Sequence, residues 1–440
     1  MIFALVVVPV LGLFAGVHRY LWCRLVRDPT TPGSRLRRTG TAAAFVLPLT
    51  TLAALPAERA GAPFPVQQAL AWPGYLWLAL VLYLTLALLV GEAVRAVALR
   101  ALRNRDPDRE PAEGASSAAP SAPAPSTDSP RTASPAPSTD PPRATSPSSA
   151  PTLLPPRTPA LPPLAVPPRR LFLARAVAAG ASLAATAAVG YGTATTLRGP
   201  TVKRVTVPLA KLPRAAHGFR IAVVSDIHLG PILGRAHTRR VVETINRTGP
   251  DLVAIVGDLV DGSVTDLAPA AEPLRGLRSR YGSYFVTGNH EYYSGAAQWV
   301  DHVRELGVHP LENARVELPG FDLAGINDLA GEGERAGPDY GSALGGRDTA
   351  RPVVLLAHQP VTIHETVRHG VDLQLSGHTH GGQMWPVTHL AAATNPTVAG
   401  LARYRDTQLY VTRGAGAWGP PVRVGAPPDV TVVELASTRA

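Results

Sequence analysis

Ile221-Ala222-Val223-Val224-Ser225-Asp226-Ile227-His228 decides how this chain is read: a short apolar run ends abruptly in a polar Asp-x-His cluster. The same pattern returns four times. Residues 252–256 lead into Gly257-Asp258, 284–286 into Gly288-Asn289-His290-Glu291, 353–356 into Ala357-His358, and 371–375 into Gly377-His378-Thr379-His380. Each apolar run has the length and composition of a buried strand. Loops just past the carboxyl ends of strands in an α/β sheet converge on one crevice, so five such loops can deliver oxygen and nitrogen ligands to one point. Asp226 to Asp258 is 32 residues and Asp258 to Asn289 is 31, the span of a strand, a crossover helix and the next strand. An α/β fold with a metal site at its strand ends is the expectation.

With these residues in view, the chain resembles the calcineurin-like metallophosphoesterase superfamily, whose signature runs D-x-H, G-D, G-N-H-D/E, H and G-H-x-H. All five blocks occur here in that order. The stretches GHTHGGQ from Gly377 and GNHEYY from Gly288 are most similar to its membrane-associated phosphodiesterase branch, and the likeness covers roughly residues 220–435. One departure is Glu291, where that branch usually has Asp. The resemblance implies a four-layer α/β/β/α sandwich of two facing mixed sheets with the metal centre at one edge. Strands near 321–326, 408–412 and 430–435 would belong to its second half. It further implies two divalent cations about 3.5 Å apart. Asp226, His228, Asp258 and His380 would hold the first, and Asp258, Asn289, His358 and His378 the second, with Asp258 bridging. Two such cations acidify a shared water and clamp phosphate oxygens during in-line displacement. His290 is left outside both ligand sets, and an imidazole with an intrinsic pKa of about 6.5 suits protonation of a leaving alkoxide. Oxygen and imidazole ligands suit Mn, Fe, Zn or Co, and spacing does not choose among them.

Other polar residues lack a motif. His217, His237, His302, His309, His364 and His369 are assigned to the surface or to a satisfied core, while His389 stands close enough to the last loop to touch substrate. Asp261, three residues past the bridging carboxylate, reads as a hydrogen-bond acceptor that orients the loop. Tyr292 and Tyr293 either line the pocket or pack in the core. Residues 331–348 hold six glycines and read as a mobile excursion over the site.

The first 200 residues differ in kind. They carry 19 Lys plus Arg against 9 Asp plus Glu, whereas residues 201–440 carry 23 of each, so the basic balance marks membrane flanks and excludes a nucleic-acid face on the enzyme. Residues 1–104 read as a membrane region of about three spans: 1–17, a shorter 39–57 interrupted by Pro48 and Pro56 and therefore re-entrant or interfacial, and 60–91. Residues 105–168 form a Pro/Ser/Ala-rich disordered linker, with 18 prolines in residues 111–168 and a duplication that starts at Ala124 and again at Ala136. Residues 169–199 are a further anchor, and 200–440 the catalytic domain.

Arginines orient the set. Arg19, Arg24, Arg27, Arg35, Arg37 and Arg38 surround the first loop, and Arg95, Arg100, Arg103, Arg105 and Arg109 follow the third segment, whereas Arg59 alone precedes it. Cytoplasmic loops collect such charge, which places the linker inside and the catalytic domain outside the cytoplasmic membrane. Arg169-Arg170-Leu171-Phe172-Leu173 before an apolar run reads either as a twin-arginine export signal or as a plain positive-inside anchor. Cys23 is the only thiol, so the catalytic domain has neither disulfides nor thiolate ligands.

The expected activity is a membrane-anchored dimetal phosphoesterase that cleaves phosphodiester or pyrophosphate bonds of a lipid-linked or envelope substrate, with Met384 and Trp385 near the rim placed to meet headgroups. The alternatives are a protein or small-molecule phosphomonoesterase and an inactive metal-binding sensor or scaffold.

Overall fold

The computed structural model describes residues 2–57, 59–104 and 169–439. The linker and its duplication lie outside them. Four helices come first: α1 (Ile2–Trp22), α2 (Arg35–Ala54), α3 (Phe64–Asn104) and α4 (Arg169–Arg198). Twelve strands follow. They are β1 (Thr201–Leu209), β2 (Phe219–Val224), β3 (Leu252–Val256), β4 (Ser283–Val286), β5 (His309–Pro310), β6 (Ala314–Leu318), β7 (Phe321–Gly325), β8 (Val353–Leu356), β9 (Leu373–Ser376), β10 (Gly400–Tyr404), β11 (Thr407–Val411) and β12 (Asp429–Ser437). Between them lie α5 (Arg235–Arg247), α6 (Val264–Ala271), α7 (Asn289–Ser294), α8 (Ala296–Glu305), α9 (Tyr340–Leu344), α10 (Ile363–Thr366) and α11 (Val387–Thr394).

Two six-stranded sheets form, ordered β1-β12-β2-β3-β4-β5 and β10-β11-β9-β8-β7-β6. Both are mixed: β12 runs antiparallel to β2 in the first, and β10–β11 and β6–β7 are antiparallel in the second. Side chains alternate across a strand, so β2 sends Ile221 and Val223 to one face and Ala222 and Val224 to the other. The first pair joins Leu323, Leu356, Leu373 and Leu375 of the second sheet in the core between the sheets. The second pair packs with Val241, Ile245, Leu267 and Trp299 from α5, α6 and α8. On the far side, Val353 and Leu355 meet Ala343 and Leu344 of α9. The layers are therefore helix, sheet, sheet, helix, as the sequence led us to expect.

Three details differ from expectation. Residues 430–435 lie in β12, which returns to the first sheet and pairs with both β1 and β2, where it fills the gap between them. Residues 331–348 are folded rather than loose: a 3-10 turn and α9 occupy much of the segment, and Ala343 and Leu344 are buried. Residues 39–57 are not broken at Pro48, since α2 runs through it and crosses α3 closely, with Thr51 Oγ1 donating to the Gly74 carbonyl at 2.8 Å.

Phe64–Val97 and Leu171–Arg198 are the two helical stretches long and apolar enough, among the described residues, to cross a membrane. The helices pack on the catalytic domain as well as on each other. Val422 is buried with Leu88 and Val189, the Arg423 N–H donates to the Gly192 carbonyl at 3.1 Å, and Phe64 packs against the core under the first sheet.

Candidate metal centre

All five polar clusters sit just past strand ends. Asp226 follows β2, Asp258 follows β3, Asn289 follows β4, His358 follows β8 and His378 follows β9, so both sheets feed one crevice. The backbone there is unusual: Asp226, His228, Asp258, His378 and His380 all adopt positive φ, between 49° and 71°. Left-handed backbone at non-glycine residues is uncommon and concentrates at functional sites. Close approach also explains two glycines. A Cβ on Gly257 would lie 2.6 Å from His358 Nδ1, and one on Gly288 would collide with the Asp258 carboxylate.

The side chains form three groups, the third being His228 with Asp261 and His290. Asp226, His228 and His380 offer ligand atoms within 4.8 Å of one another, and so do Asp258, His358 and His378. In the first, His228 Nε2 is 3.0 Å from His380 Nε2, which is 3.3 Å from Asp226 Oδ1. In the second, His358 Nε2 is 3.1 Å from Asp258 Oδ2, and His378 Nδ1 is 3.0 Å from Asn289 Oδ1. Asp258 Oδ2 also lies 3.8 Å from His228 Nε2, which puts this carboxylate between the sets. The donors suit divalent cations on a direct test. Buried His358 donates its Nδ1–H to the Val256 carbonyl at 2.8 Å, which turns Nε2 towards Asp258 Oδ2 at 3.1 Å, the orientation a metal-ligating imidazole takes when its other nitrogen is held by a carbonyl.

Surrounding groups fix these ligands. Ser225 Oγ donates to Asp226, and the His378 N–H reaches the same carboxylate at 3.0 Å. Asp261 Oδ1 accepts from His228 Nδ1 at 2.9 Å and lies 2.7 Å from His290 Nδ1. Glu291 takes the backbone N–H groups of Asp258, Leu259 and Gly288 at 3.0, 2.8 and 2.6 Å, so it ties the β3 loop to the β4 loop. Its extra methylene relative to Asp is accommodated without loss of these bonds.

Electrostatics follow from burial and pairing. Burial pushes the Asp258 carboxyl up, but the imidazoles of His358 and His228 outweigh it and hold the group well below the usual carboxylate range. Asp226 is raised, because burial dominates there. Burial lowers His290, yet the hydrogen bond and charge of Asp261 win and lift it to about 9. Burial and the neighbouring His358 lower His378 to about 4. Burial and Asp258 push Glu291 up to about 7.

Two partners had no signal in the sequence. Arg423, fully buried, donates Nη1 to the His380 carbonyl at 2.7 Å and sets Nη2 3.0 Å from His380 Nδ1. Trp418 places its ring 5.8 Å from that of His290. His237 departs from its expected role: it is buried with both ring nitrogens unpartnered. His389 does not line the cavity at the cluster, nor do residues 331–348, whereas Tyr293 and Met384 do. Trp385 is exposed.

Residues 219–382 match the family model described as calcineurin-like phosphoesterase. A transmembrane protein with metallophosphoesterase domain from Danio rerio is 40% identical over 259 residues, covering 56% of this chain and 59% of the relative. An uncharacterized metallophosphoesterase of Aquifex aeolicus is 35% identical over 53% of this chain and 91% of its own length. Another, from Bacillus subtilis, is 32% identical over 61% of this chain and 98% of its own. The chain spans less than two thirds of the Danio rerio relative, but it matches the Aquifex aeolicus and Bacillus subtilis relatives over nearly their whole length, and the chain belongs to the calcineurin-like metallophosphoesterase family.

Proposed function

We propose that the protein is a membrane-held, metal-dependent phosphoesterase that cleaves phosphodiester or pyrophosphate bonds of a lipid-linked or envelope substrate. The observation that carries this reading is the pair of ligand sets meeting at Asp258, with His290 beside them and tied to Asp261. Asp226, His228, Asp258 and His380 would hold one divalent cation, and Asp258, Asn289, His358 and His378 the other. Bound divalent metal supplies an acidified water near neutral pH and neutralises charge on phosphoryl oxygens. Asp258 stays ionised to serve both ligand sets, and Asp226 is held in line by Ser225 and the His378 N–H. His290, lifted to about 9 by Asp261, carries a proton at neutral pH. As the oxygen of a water that has given one proton to solvent bonds to phosphorus and the bond to the leaving oxygen breaks, His290 would give the leaving oxygen its proton.

The site is read as extracytoplasmic. Arginine asymmetry motivates this, and the helices agree in relative sidedness. Arg175, near the start of α4, donates to the Pro29 carbonyl in the first loop at 3.1 Å, while the opposite end of α4 meets the catalytic domain at Gly192. The test is the purified full chain in detergent with Mn, assayed on bis-p-nitrophenyl phosphate and p-nitrophenyl phosphate. Diester turnover is expected. Monoester turnover alone would make it a phosphomonoesterase, and metal binding without turnover of either would make it a sensor or scaffold.

A further inference from the structure

The cavity over the metal cluster is not built by the catalytic domain alone. Its volume is about 880 Å³, within the range of about 300–1,000 Å³ typical of small-molecule sites and far more than a phosphate group fills. One wall carries His228, Asp258, Asn289, His290, His378 and His380. The lining also takes in the end of α2, the turn to α3 and the first turns of α3, with Leu55, Ala71 and Leu78, together with Leu233, Leu390 and Ala391 of the catalytic domain. Leu55 and Leu390 are exposed, so apolar surface lies open beside a polar, charged centre. Arg59, in the α2–α3 turn, is the one arginine or lysine among the described lining residues, and its guanidinium lies 5.5 Å from the Tyr293 ring centroid. Tyr293 in turn lies 5.5 Å from His290.

We infer that the α2–α3 turn is the second wall of the substrate pocket and that the site takes a phosphate ester bearing a hydrocarbon chain. The chain lies between α2–α3 and α11, with Arg59 beside the anionic headgroup. This rests on the phosphoesterase reading of the metal centre, chooses the lipid-linked substrate over other envelope esters, and names the residues that recognise its chain and headgroup. Two features select an amphiphile over a soluble nucleotide or sugar phosphate. Leu55 and Leu390 leave apolar surface open in the cavity, which a hydrocarbon chain covers and a nucleoside or sugar does not. Phe64–Val97, which passes through this wall, is long and apolar enough to stand in the bilayer that supplies such a molecule. Arg59 then acts as a specificity residue, because guanidinium pairs with phosphate oxygens through a planar fork.

The experiment uses a series of alkyl p-nitrophenyl phosphates, from methyl to hexadecyl, with the full chain in nonionic micelles and Mn. Each buried methylene is worth on the order of two- to four-fold, so kcat/KM for the hexadecyl ester should exceed that for the methyl ester by about 100-fold or more. Leu55→Asp and Leu390→Asp should each cut this ratio at least about ten-fold, since both put a charge into the groove from exposed positions. Arg59→Gln should raise KM about five- to ten-fold for every ester, with kcat nearly kept. Leu401→Asp, exposed on β10 and away from the cavity, should leave the ratio as it is. Partitioning into micelles is common to all variants, so the comparison isolates the groove. A flat chain-length profile, or the same profile in wild type and both groove variants, would overturn the inference. Equilibrium binding of hexadecylphosphonate against methylphosphonate reads the pocket without turnover. Tight, chain-dependent binding with no hydrolysis of any ester would sink the phosphoesterase reading and keep the pocket, whereas chain-independent hydrolysis with equal binding would do the reverse.

Discussion

Replacing Asp261 with Asn tests how the centre is held, because one oxygen serves two histidines. Asp261 Oδ1 is 2.9 Å from His228 Nδ1 and 2.7 Å from His290 Nδ1. Burial raises Asp261, but His228 and His290 outweigh it and hold it at about 2, so the group is ionised at any working pH. Asn removes the charge and swaps one acceptor for a donor. For His228 the consequence is a looser ring, and such partners of metal-ligating histidines are typically worth 10- to 100-fold in affinity or activity, about 1.4–2.7 kcal/mol. For His290 the consequence is a changed protonation state. Asp261 makes the largest contribution to lifting this ring to about 9, and once it is gone burial is opposed only by the charges of Asp258 and Glu291, so the ring falls. At pH 8 His290 is then charged in the wild type and less so in the variant; at pH 6 the difference shrinks. The loss in kcat on bis-p-nitrophenyl phosphate should therefore be larger at pH 8 than at pH 6. Excess Mn should recover the part due to metal but not the part due to pH. Equal losses at both pH values, fully recovered by Mn, would refute the argument that Asp261 governs His290.

Four further outcomes follow. Asp258→Asn and His380→Ala should lose metal and turnover together, while His290→Ala keeps its metal and loses about 10²- to 10⁴-fold in rate; metal analysis of a metal-free His290→Ala protein would reverse the roles. His237 is held at about 4 by burial, helped by Arg240 and Arg423, against 6.5 for an unfolded chain, so the unfolded state takes up its proton first as pH falls. Its contribution is intact above pH 6.5 and about 3 kcal/mol is lost by pH 4. His237→Gln should flatten the fall in apparent Tm across that window, and an unaltered slope would show that other groups set it. A reporter that works only in the cytoplasm, fused after Ala440, should stay silent, and a signal would reverse the orientation. If the twin-arginine route is used, changing Arg169 and Arg170 to Lys should retain the domain inside; unchanged export would remove the route alone, since Lys keeps the positive-inside bias.

The parts of the site legible in the sequence were those whose signal is local. Asp226, Asp258, His358 and His378 each stand two residues past the last residue of an apolar strand, so strand and ligand announce each other within eight residues. Arg423 has no such neighbour. It reaches His380 only because the chain after β11 folds back, and nothing within the Pro-Val-Arg-Val-Gly stretch from Pro421 marks it. The place of β12 was hidden for a related reason: its apolar residues say strand, but pairing between β1 and β2 is a tertiary choice. The α2–α3 contribution was invisible too, since Leu55 and Ala71 look like ordinary membrane-helix residues until the fold brings them to the same cavity as α11.

Backbone strain carries the argument one step further. Asp226, His228, Asp258, His378 and His380 hold left-handed φ, at a cost of roughly 1–2 kcal/mol each relative to glycine. Even though Asp and His tolerate this region better than branched residues, the sum is comparable with the 5–15 kcal/mol net stability of a domain. Glycine at any of these five turns would relieve the strain. What glycine would remove is a carboxylate or an imidazole aimed at one point. The neighbours that hold the turns in place, Glu291 across three backbone N–H groups and Asp226 against the His378 N–H, therefore support a geometry that only a ligand can repay. Divalent metal binding to the folded state alone is the term that offsets it, so saturating Mn should raise the apparent Tm of the wild type far more than that of Asp258→Asn.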